Sequence, residues 1–209
     1  MEKIIKYILE EDEGFGDITS NALINKDQIA TAKVISKDNG ILAGIDIIIS
    51  VLNSKNMKII KFLDDGSVIS KGEIILEFTG NALDILLLER TILNLLMRMS
   101  GVATFSHEIV NLTRDFNVII AGTRKTSPGI SKFDKYALKV GGADTHRFCL
   151  DDMVLIKDNH ISLVGSPIKA LKKAQKNTSF SKKIEIEVET LEDAVECVKK
   201  GADIVMLDN

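Results

Sequence analysis

After residue 115 the chain settles into a rhythm that leaves few folds open. A short apolar run ends in polar residues, an amphipathic stretch follows, and the pattern begins again. The apolar runs are VIIAG (118–122), MVLIK (153–157), IEIEVE (184–189) and IVML (204–207). Between them stand three helical stretches. FDKYALKVGG stops at Gly141-Gly142, SPIKALKKAQKN (166–177) is entered through Pro167, and LEDAVECVKKGAD has Thr190 as its cap and Gly201 as its stop. Strands alternating with helices at this spacing predict parallel βα units. Four such strands are too few to close a barrel by themselves. Their C-terminal ends carry Thr123-Arg124-Lys125, then Lys157-Asp158-Asn159-His160, Glu187 with Glu189, and Asp208-Asn209. In a (β/α) barrel this is the face that carries the chemistry.

The first half reads differently. Residues 3–11 have helical periodicity, with Ile4, Ile5, Ile8 and Leu9 on one face. In GFGDITSNALI, Asp17 or Thr19 caps a short helix, or the segment is a turn. ATAKVIS (30–36) alternates like a strand, and Asn39-Gly40 signals a turn. GIDIIISVLN fits a helix or a buried strand. MKIIKFL and DDGSVISKGEIILEF read as strand, turn, strand, with turns at Asp65-Gly66 and Lys71-Gly72. Residues 81–112 then form one long helix, apolar around most of its circumference, which predicts burial. Glu89-Arg90 is conspicuous there, because a buried charge needs a partner. Taken alone, an ion pair to Glu89 or a nearby acid is the simpler account of Arg90.

Composition excludes several classes. The chain has 209 residues, 45% hydrophobic and 27% charged, an ordinary globular balance sufficient for a core. The net charge is −3 and the pI about 5.7, which argues against a general nucleic-acid surface. The two cysteines, Cys149 and Cys197, show no CxxC or His/Cys pairing, so neither a structural zinc nor a disulfide framework is expected. A reducing cytoplasm is the resulting expectation. The N-terminus does not read as a signal peptide, and no apolar run reaches membrane-spanning length.

Against this acidic background the cations Arg124, Lys125, Arg147 and Lys157, with His146, gather at strand ends. Arginines suit bidentate binding of carboxylate or phosphate. Glu187 and Asp208 also fall at strand ends. A rim with both signs suits an anionic substrate together with a magnesium-bound phosphate. Gly122, Gly129, Gly141 and Gly142 either end elements or let backbone N–H groups approach an anion; neither a dinucleotide fingerprint nor a Walker loop is present. Glu185 and Glu189 read as a solvent-facing edge, and His107 as surface helix. His160 is a loop-orienting residue, Cys149 and Cys197 are packing residues, and Lys169, Lys172, Lys173 and Lys176 form a solvated face.

The stretch TRKTSPG…KYALKVGGADTHRFCLDDMVLIKDNHI resembles quinolinate phosphoribosyltransferase, also called nicotinate-nucleotide pyrophosphorylase (carboxylating). So do EDEGFGDITSNALI, LLLERTILNLLMRMSGVAT, IEIEVETLEDA and GADIVMLDN, in the family's order over nearly the whole chain. The resemblance implies an α/β fold: an N-terminal open α/β sandwich with its long helix (1–103), then a partial parallel α/β barrel (104–209). It implies transfer of a phosphoribosyl group from phosphoribosyl pyrophosphate to quinolinate, giving nicotinate mononucleotide, pyrophosphate and carbon dioxide, within NAD synthesis. Magnesium accompanies the pyrophosphate. A homodimer is implied, with Arg90 completing the neighbour's site. The family's binding residues fall on Arg90, Thr123, Arg124, Lys125, His146, Arg147, Lys157, Glu187 and Asp208, all of the expected type. Arg90, Arg124, Arg147 and His146 are expected to grip the carboxylates. Lys125 and Lys157 lie toward the ribosyl phosphates, and Glu187 and Asp208 toward ribose and magnesium, with metal contact direct or through bound phosphoribosyl pyrophosphate. Lys125, Lys157, Glu187 and Asp208 are the expected catalytic set.

Family members continue past the Leu-Asp-Asn of residues 207–209 with glycine-rich loops for the 5′-phosphate. The expectation is therefore a piece of a longer protein, with natural truncation as the alternative. Two other functions compete: a same-fold paralogue with another acceptor, molybdenum-associated or nicotinate-type, and a non-catalytic anion-binding remnant.

Overall fold

The computed structural model describes residues 1–208, and Asn209 of the expected strand-end pair lies outside them. The chain divides into two compact units, Met1–His146 and Arg147–Asn209.

The first unit opens with α1 (Glu2–Glu13) and α2 (Ile18–Leu23). Asp17 settles the cap: its carboxylate accepts from the Ser20 N–H at 3.0 Å and from the Ser20 hydroxyl. Strands β1 (Ile29–Ile35) and β2 (Gly40–Ile41) precede α3 (Ile45–Ser54), so the ambiguous GIDIIISVLN run is helical. Next come β3 (Lys58–Phe62), β4 (Val68–Ile69) and β5 (Ile74–Asn81). The antiparallel sheet has the order β1-β5-β3, and β2 pairs separately with β4. Gly66 and Gly72 take the left-handed backbone that the two expected turns require. The Asn39-Gly40 expectation needs correction. Gly40 lies in β2, and a β-carbon there would sit 2.5 Å from the Thr104 hydroxyl. Its glycine serves close approach to a helix rather than a turn.

That helix is α4 (Ala82–Thr113), 32 residues and so about 48 Å long. Asn81 caps it by accepting from Leu83 N–H at 2.9 Å. Leu88, Ile92, Leu95, Leu96, Met99 and Ala103 form its buried stripe and meet Leu42, Ile45, Leu52, Leu76 and Phe78 in one core. Each such large side chain contributes about 1.5–3 kcal/mol on burial. Small hydroxyls fasten β2 to the helix: Ile41 N–H donates to Thr104 Oγ1 at 2.8 Å, and Ala43 N–H to Ser100 Oγ at 3.1 Å. The expectation of all-round burial fails. Leu86, Met97, Phe105 and Leu112 are exposed, because so long a helix outruns the core it crosses.

α5 (Ser131–Val140) packs on α4. The contact depends on Gly141, where a β-carbon would lie 2.4 Å from the Ala103 carbonyl oxygen. The apolar run 118–122 is not a full strand. Only Ala121 forms a parallel bridge, to Asp144, while Val118 and Ile119 are exposed. The expectation of four barrel strands is thereby reduced to three.

Those three form the second unit: β6 (Val154–Ile156), β7 (Ile184–Val188) and β8 (Ile204–Leu207), parallel in the order β6-β7-β8. Helices α6 (Asp158–Val164), α7 (Pro167–Asn177) and α8 (Leu191–Lys199) alternate with them. Ser166 and Thr190 cap the latter two, accepting from Lys169 and Asp193 N–H. Ile156, Leu171, Ile184, Ile186, Val188 and Cys197 make a separate core. β7 is the central strand, and Glu185 on it is 3% exposed, which corrects the solvent-edge reading; Glu189, past the strand's end, is exposed. Cys197 packs as expected, but Cys149 is exposed. No helix among the described residues is long and apolar enough to cross a membrane.

Candidate active site

The expected site residues fall into groups with different physical support. Thr123, Arg124 and Lys125 follow the single bridge Ala121–Asp144 and are exposed. The bridge is closed on both sides: Gly122 N–H donates to Asp144 O at 2.9 Å, and Asp144 N–H to Ile120 O at 2.8 Å. The turn beyond it is held by Lys125 N–H on Thr123 Oγ1 at 3.0 Å. Thr123 therefore shapes the loop through its hydroxyl. The N–H groups of Gly122, Gly141 and Gly142 all bond within the chain, so these glycines serve pairing and packing rather than offering donors to an anion.

His146 leaves the other side of the bridge, so it and Thr123 both follow a bridged residue by two positions. Its backbone is left-handed at φ +52°, which costs a residue with a β-carbon about 1–2 kcal/mol. The His146 N–H donates to Asp144 Oδ1 at 2.6 Å, which offsets part of that cost. Arg147 is 9% exposed.

In the second unit the parallel register brings three ends together. Ile156 pairs with Ile186, Glu187 with Met206 and Val188 with Leu207. Lys157, Glu187 and Asp208 thus occupy one edge of the sheet. The Lys157 ammonium donates directly to Glu187 Oε2. Lys157 N–H also donates to Nδ1 of His160 at 3.0 Å. The expected loop at His160 is instead the first turn of α6, and its imidazole is fixed there by the Lys157 N–H. Asp208 N–H holds Val188 O at 3.0 Å, extending the ladder one residue past β8. At the opposite end of β6, Asp152 accepts from Phe148 N–H at 2.6 Å and Cys149 N–H at 3.1 Å. These bonds, that from Cys149 first, hold its carboxyl below the usual range, helped by the Lys182 and Arg147 charges.

Arg90 stands apart. It is exposed on α4, with no ion pair to Glu89 or another acid among the described residues, so the expected buried charge is corrected. The helix does carry an ionic contact at Arg98, which is itself exposed: its Nε and Nη2 donate to the two oxygens of the buried Asp134 at 2.9 Å. That partnership, led by the hydrogen bond, raises the Arg98 pKa.

Sequence reasoning missed three polar anchors on α5. Asp134 takes Arg98, Lys135 donates to the Thr145 carbonyl, and Tyr136 donates to Asp65 Oδ2 at 2.7 Å. Asp65 also accepts from Ile45 N–H at the start of α3, at 2.9 Å. Burial and then the Asp65 carboxylate push the Tyr136 phenol well above its usual range. Nothing in the helical periodicity of SKFDKYALKV marked Lys135 as buried. A groove of about 600 Å³ between α1, α3 and α4, lined by Ile5, Leu9, Val51 and Leu88, contains none of the candidate residues.

Among the described residues no three His, Cys, Asp or Glu side chains cluster as a metal site. One oxygen of Glu187 is already committed to Lys157.

Two family models match: the quinolinate phosphoribosyl transferase N-terminal domain over residues 17–100 and its C-terminal domain over 102–209. A probable nicotinate-nucleotide pyrophosphorylase [carboxylating] of Methanocaldococcus jannaschii is 48% identical over 209 residues, covering 99% of this chain and 73% of the relative. Its namesake from Methanothermobacter thermautotrophicus is 44% identical, covering 100% and 76%. The crystal structure of NadC from Streptococcus pyogenes superposes with a TM-score of 0.93 at 35% identity, over 100% of this chain and 74% of that one.

Proposed function

Because the chain belongs to the quinolinate phosphoribosyl transferase family, we propose that it transfers the ribosyl 5-phosphate group of phosphoribosyl pyrophosphate to quinolinate. The products are nicotinate mononucleotide, pyrophosphate and carbon dioxide, and the step belongs to NAD synthesis. The observation that carries this reading is similarity over the whole chain, at 44–48% identity, to proteins named for that activity.

In this proposal the domains meet near residue 103. Arg90, Arg124, His146 and Arg147 bind the two carboxylates of quinolinate. Lys125 and Lys157 neutralise phosphate oxygens as pyrophosphate leaves. Glu187 and Asp208 steady the positive charge that develops on the ribosyl centre, and they contact the magnesium that enters with phosphoribosyl pyrophosphate as part of the substrate. The pyridine nitrogen attacks the ribosyl carbon and the carbon–pyrophosphate bond breaks. The adjacent carboxylate then leaves as carbon dioxide, its electron pair staying on the ring carbon beside the cationic nitrogen, and that carbon takes up a proton from water. No covalent enzyme intermediate is needed, so positioning and electrostatics supply the acceleration.

A homodimer also belongs to the proposal. Arg90 shares an exposed face of α4 with Leu86 and Met97, an arrangement that suits burial against a second copy, where the guanidinium would meet the neighbour's substrate. A cytoplasmic setting is supported by two free cysteines.

The test is turnover of quinolinate with phosphoribosyl pyrophosphate and magnesium by the purified full-length protein. Carbon dioxide and pyrophosphate should appear in equal amounts with nicotinate mononucleotide. Turnover of nicotinate but not quinolinate would replace this reading with that of a paralogue.

A further inference from the structure

Lys135 is the most heavily buried charged side chain among the described residues, at 0% exposure. It lies in the middle of α5, outside the set to which the reaction assigns a role. An ammonium removed from water is costly to keep and persists only where its donors are satisfied. Its retention calls for something the charge does. The ammonium donates to the carbonyl oxygen of Thr145, ten residues on and one before His146.

That carbonyl is at a sensitive place. Thr145 links Asp144, whose backbone is held in the bridge to the 120–122 segment, with His146, which sits at φ +52°. On the far side, the Thr145 hydroxyl approaches the His146 carbonyl at 3.3 Å. The Asp144 carboxylate meanwhile takes the His146 N–H at 2.6 Å. A left-handed residue persists where its surroundings determine it. Here the Thr145–His146 peptide is held at both its polar ends, the carbonyl by Lys135 and the N–H by Asp144, and Lys135 reaches it from a separate helix. The helix that presents this lysine is itself fastened by its neighbours in sequence: Asp134 to Arg98 on α4, and Tyr136 to Asp65 before β4.

We propose that Lys135 is a positioning residue for quinolinate binding: its ammonium fixes the Thr145 peptide and thereby holds His146 in the left-handed conformation that presents its imidazole to a substrate carboxylate. This rests on the reading of His146 as a carboxylate-binding residue. Lys135 itself touches no substrate.

The experiment compares Lys135→Met, Lys135→Arg, His146→Ala and the Lys135→Met/His146→Ala double variant in the full-length protein, by steady-state kinetics and melting. Lys135→Met should raise the KM for quinolinate about tenfold while the KM for phosphoribosyl pyrophosphate moves less than twofold. Lys135→Arg, which keeps a cationic donor, should recover most of the loss. The double variant should be no worse than His146→Ala, because both changes remove one interaction. Additive losses, or equal changes in both KM values, overturn the proposal. If His146→Ala leaves quinolinate binding unchanged, the site reading fails instead, and the proposal with it. If Lys135→Met does not fold, Lys135→Gln, with a shorter neutral donor, takes its place under the same criteria. Failure of both to fold also overturns the proposal, since it assigns Lys135 to core stability alone.

Discussion

The two cationic segments of this protein, one after an isolated bridge and one after a strand, are prepared for anions in opposite ways. After the bridge at Ala121, Arg124 and Lys125 stand exposed on a loop and have no ion-pair partner among the described residues. After β6, Lys157 is half-buried and already paired with Glu187. An anion reaching the first pair breaks no existing contact and gains charge-assisted hydrogen bonds directly. An anion reaching Lys157 must compete with a carboxylate, or bring its own cation to satisfy that carboxylate. A metal-free dicarboxylate suits the first arrangement and a magnesium polyphosphate the second. The difference supports the division of labour proposed between quinolinate and phosphoribosyl pyrophosphate.

The largest effect expected is at the paired end. Lys157→Ala leaves Glu187 facing the polyphosphate without its counter-charge, replacing attraction by repulsion. A fall in kcat of about 10²–10³-fold is expected, the scale of a lost electrostatic contact in an active site. Stopped assays with saturating substrates would measure it. A variant retaining full kcat would erase the distinction between the two ends.

At the unpaired end, Arg124→Ala should act on quinolinate rather than on the pyrophosphate donor. Losing a charge-assisted hydrogen bond costs about 1.5–3 kcal/mol, or about 10–100-fold in quinolinate affinity. Calorimetric titration with quinolinate should show this, with a change smaller than threefold for phosphoribosyl pyrophosphate. The reverse pattern would exchange the roles of the two ends.

The same contrast explains what was legible beforehand. β6 and β8 follow from apolar runs bounded by polar residues, the usual composition of buried parallel strands, and β7 from the alternation IEIEV. Lys157, Glu187 and Asp208 follow from their place at those ends. VIIAG has equally strong apolar character, yet pairing needs a neighbour, and only Ala121 finds one, at Asp144. Pairing is a property of two segments, and one segment's composition does not report it. Arg90 misled for a related reason: the helix around it is apolar on most sides, but only the stripe through Leu88, Ile92 and Met99 meets a core. Lys135 and Glu185 show the converse. Both are charged and both are buried, and neither position in its helix or strand period foretold it. Lys135 is held by a backbone carbonyl ten residues away, a contact that leaves no mark in local pattern.

The smallest effect tests whether the second unit's strand ends depend on the loop that enters β6. Asp152 is exposed, so its role is local: it collects two N–H groups from Phe148 and Cys149 where the chain leaves Arg147. Those bonds favour the charged carboxylate and lower its pKa on folding. The sign follows from linkage. A group that is more acidic when folded binds fewer protons than in the unfolded chain, so its contribution is complete above the ordinary carboxylate pKa of about 3.9 and is lost as pH falls through the lowered folded value. Asp152→Asn should therefore lower the melting temperature slightly at neutral pH, and the deficit should shrink as pH falls below about 4. Quinolinate and phosphoribosyl pyrophosphate turnover should change less than threefold. A deficit that stays constant into acid would mean that Asp152 acts through its shape, as a hydrogen-bond acceptor that asparagine also supplies poorly, rather than through its charge. A large loss of turnover would instead tie this loop to the chemistry at the other end of β6.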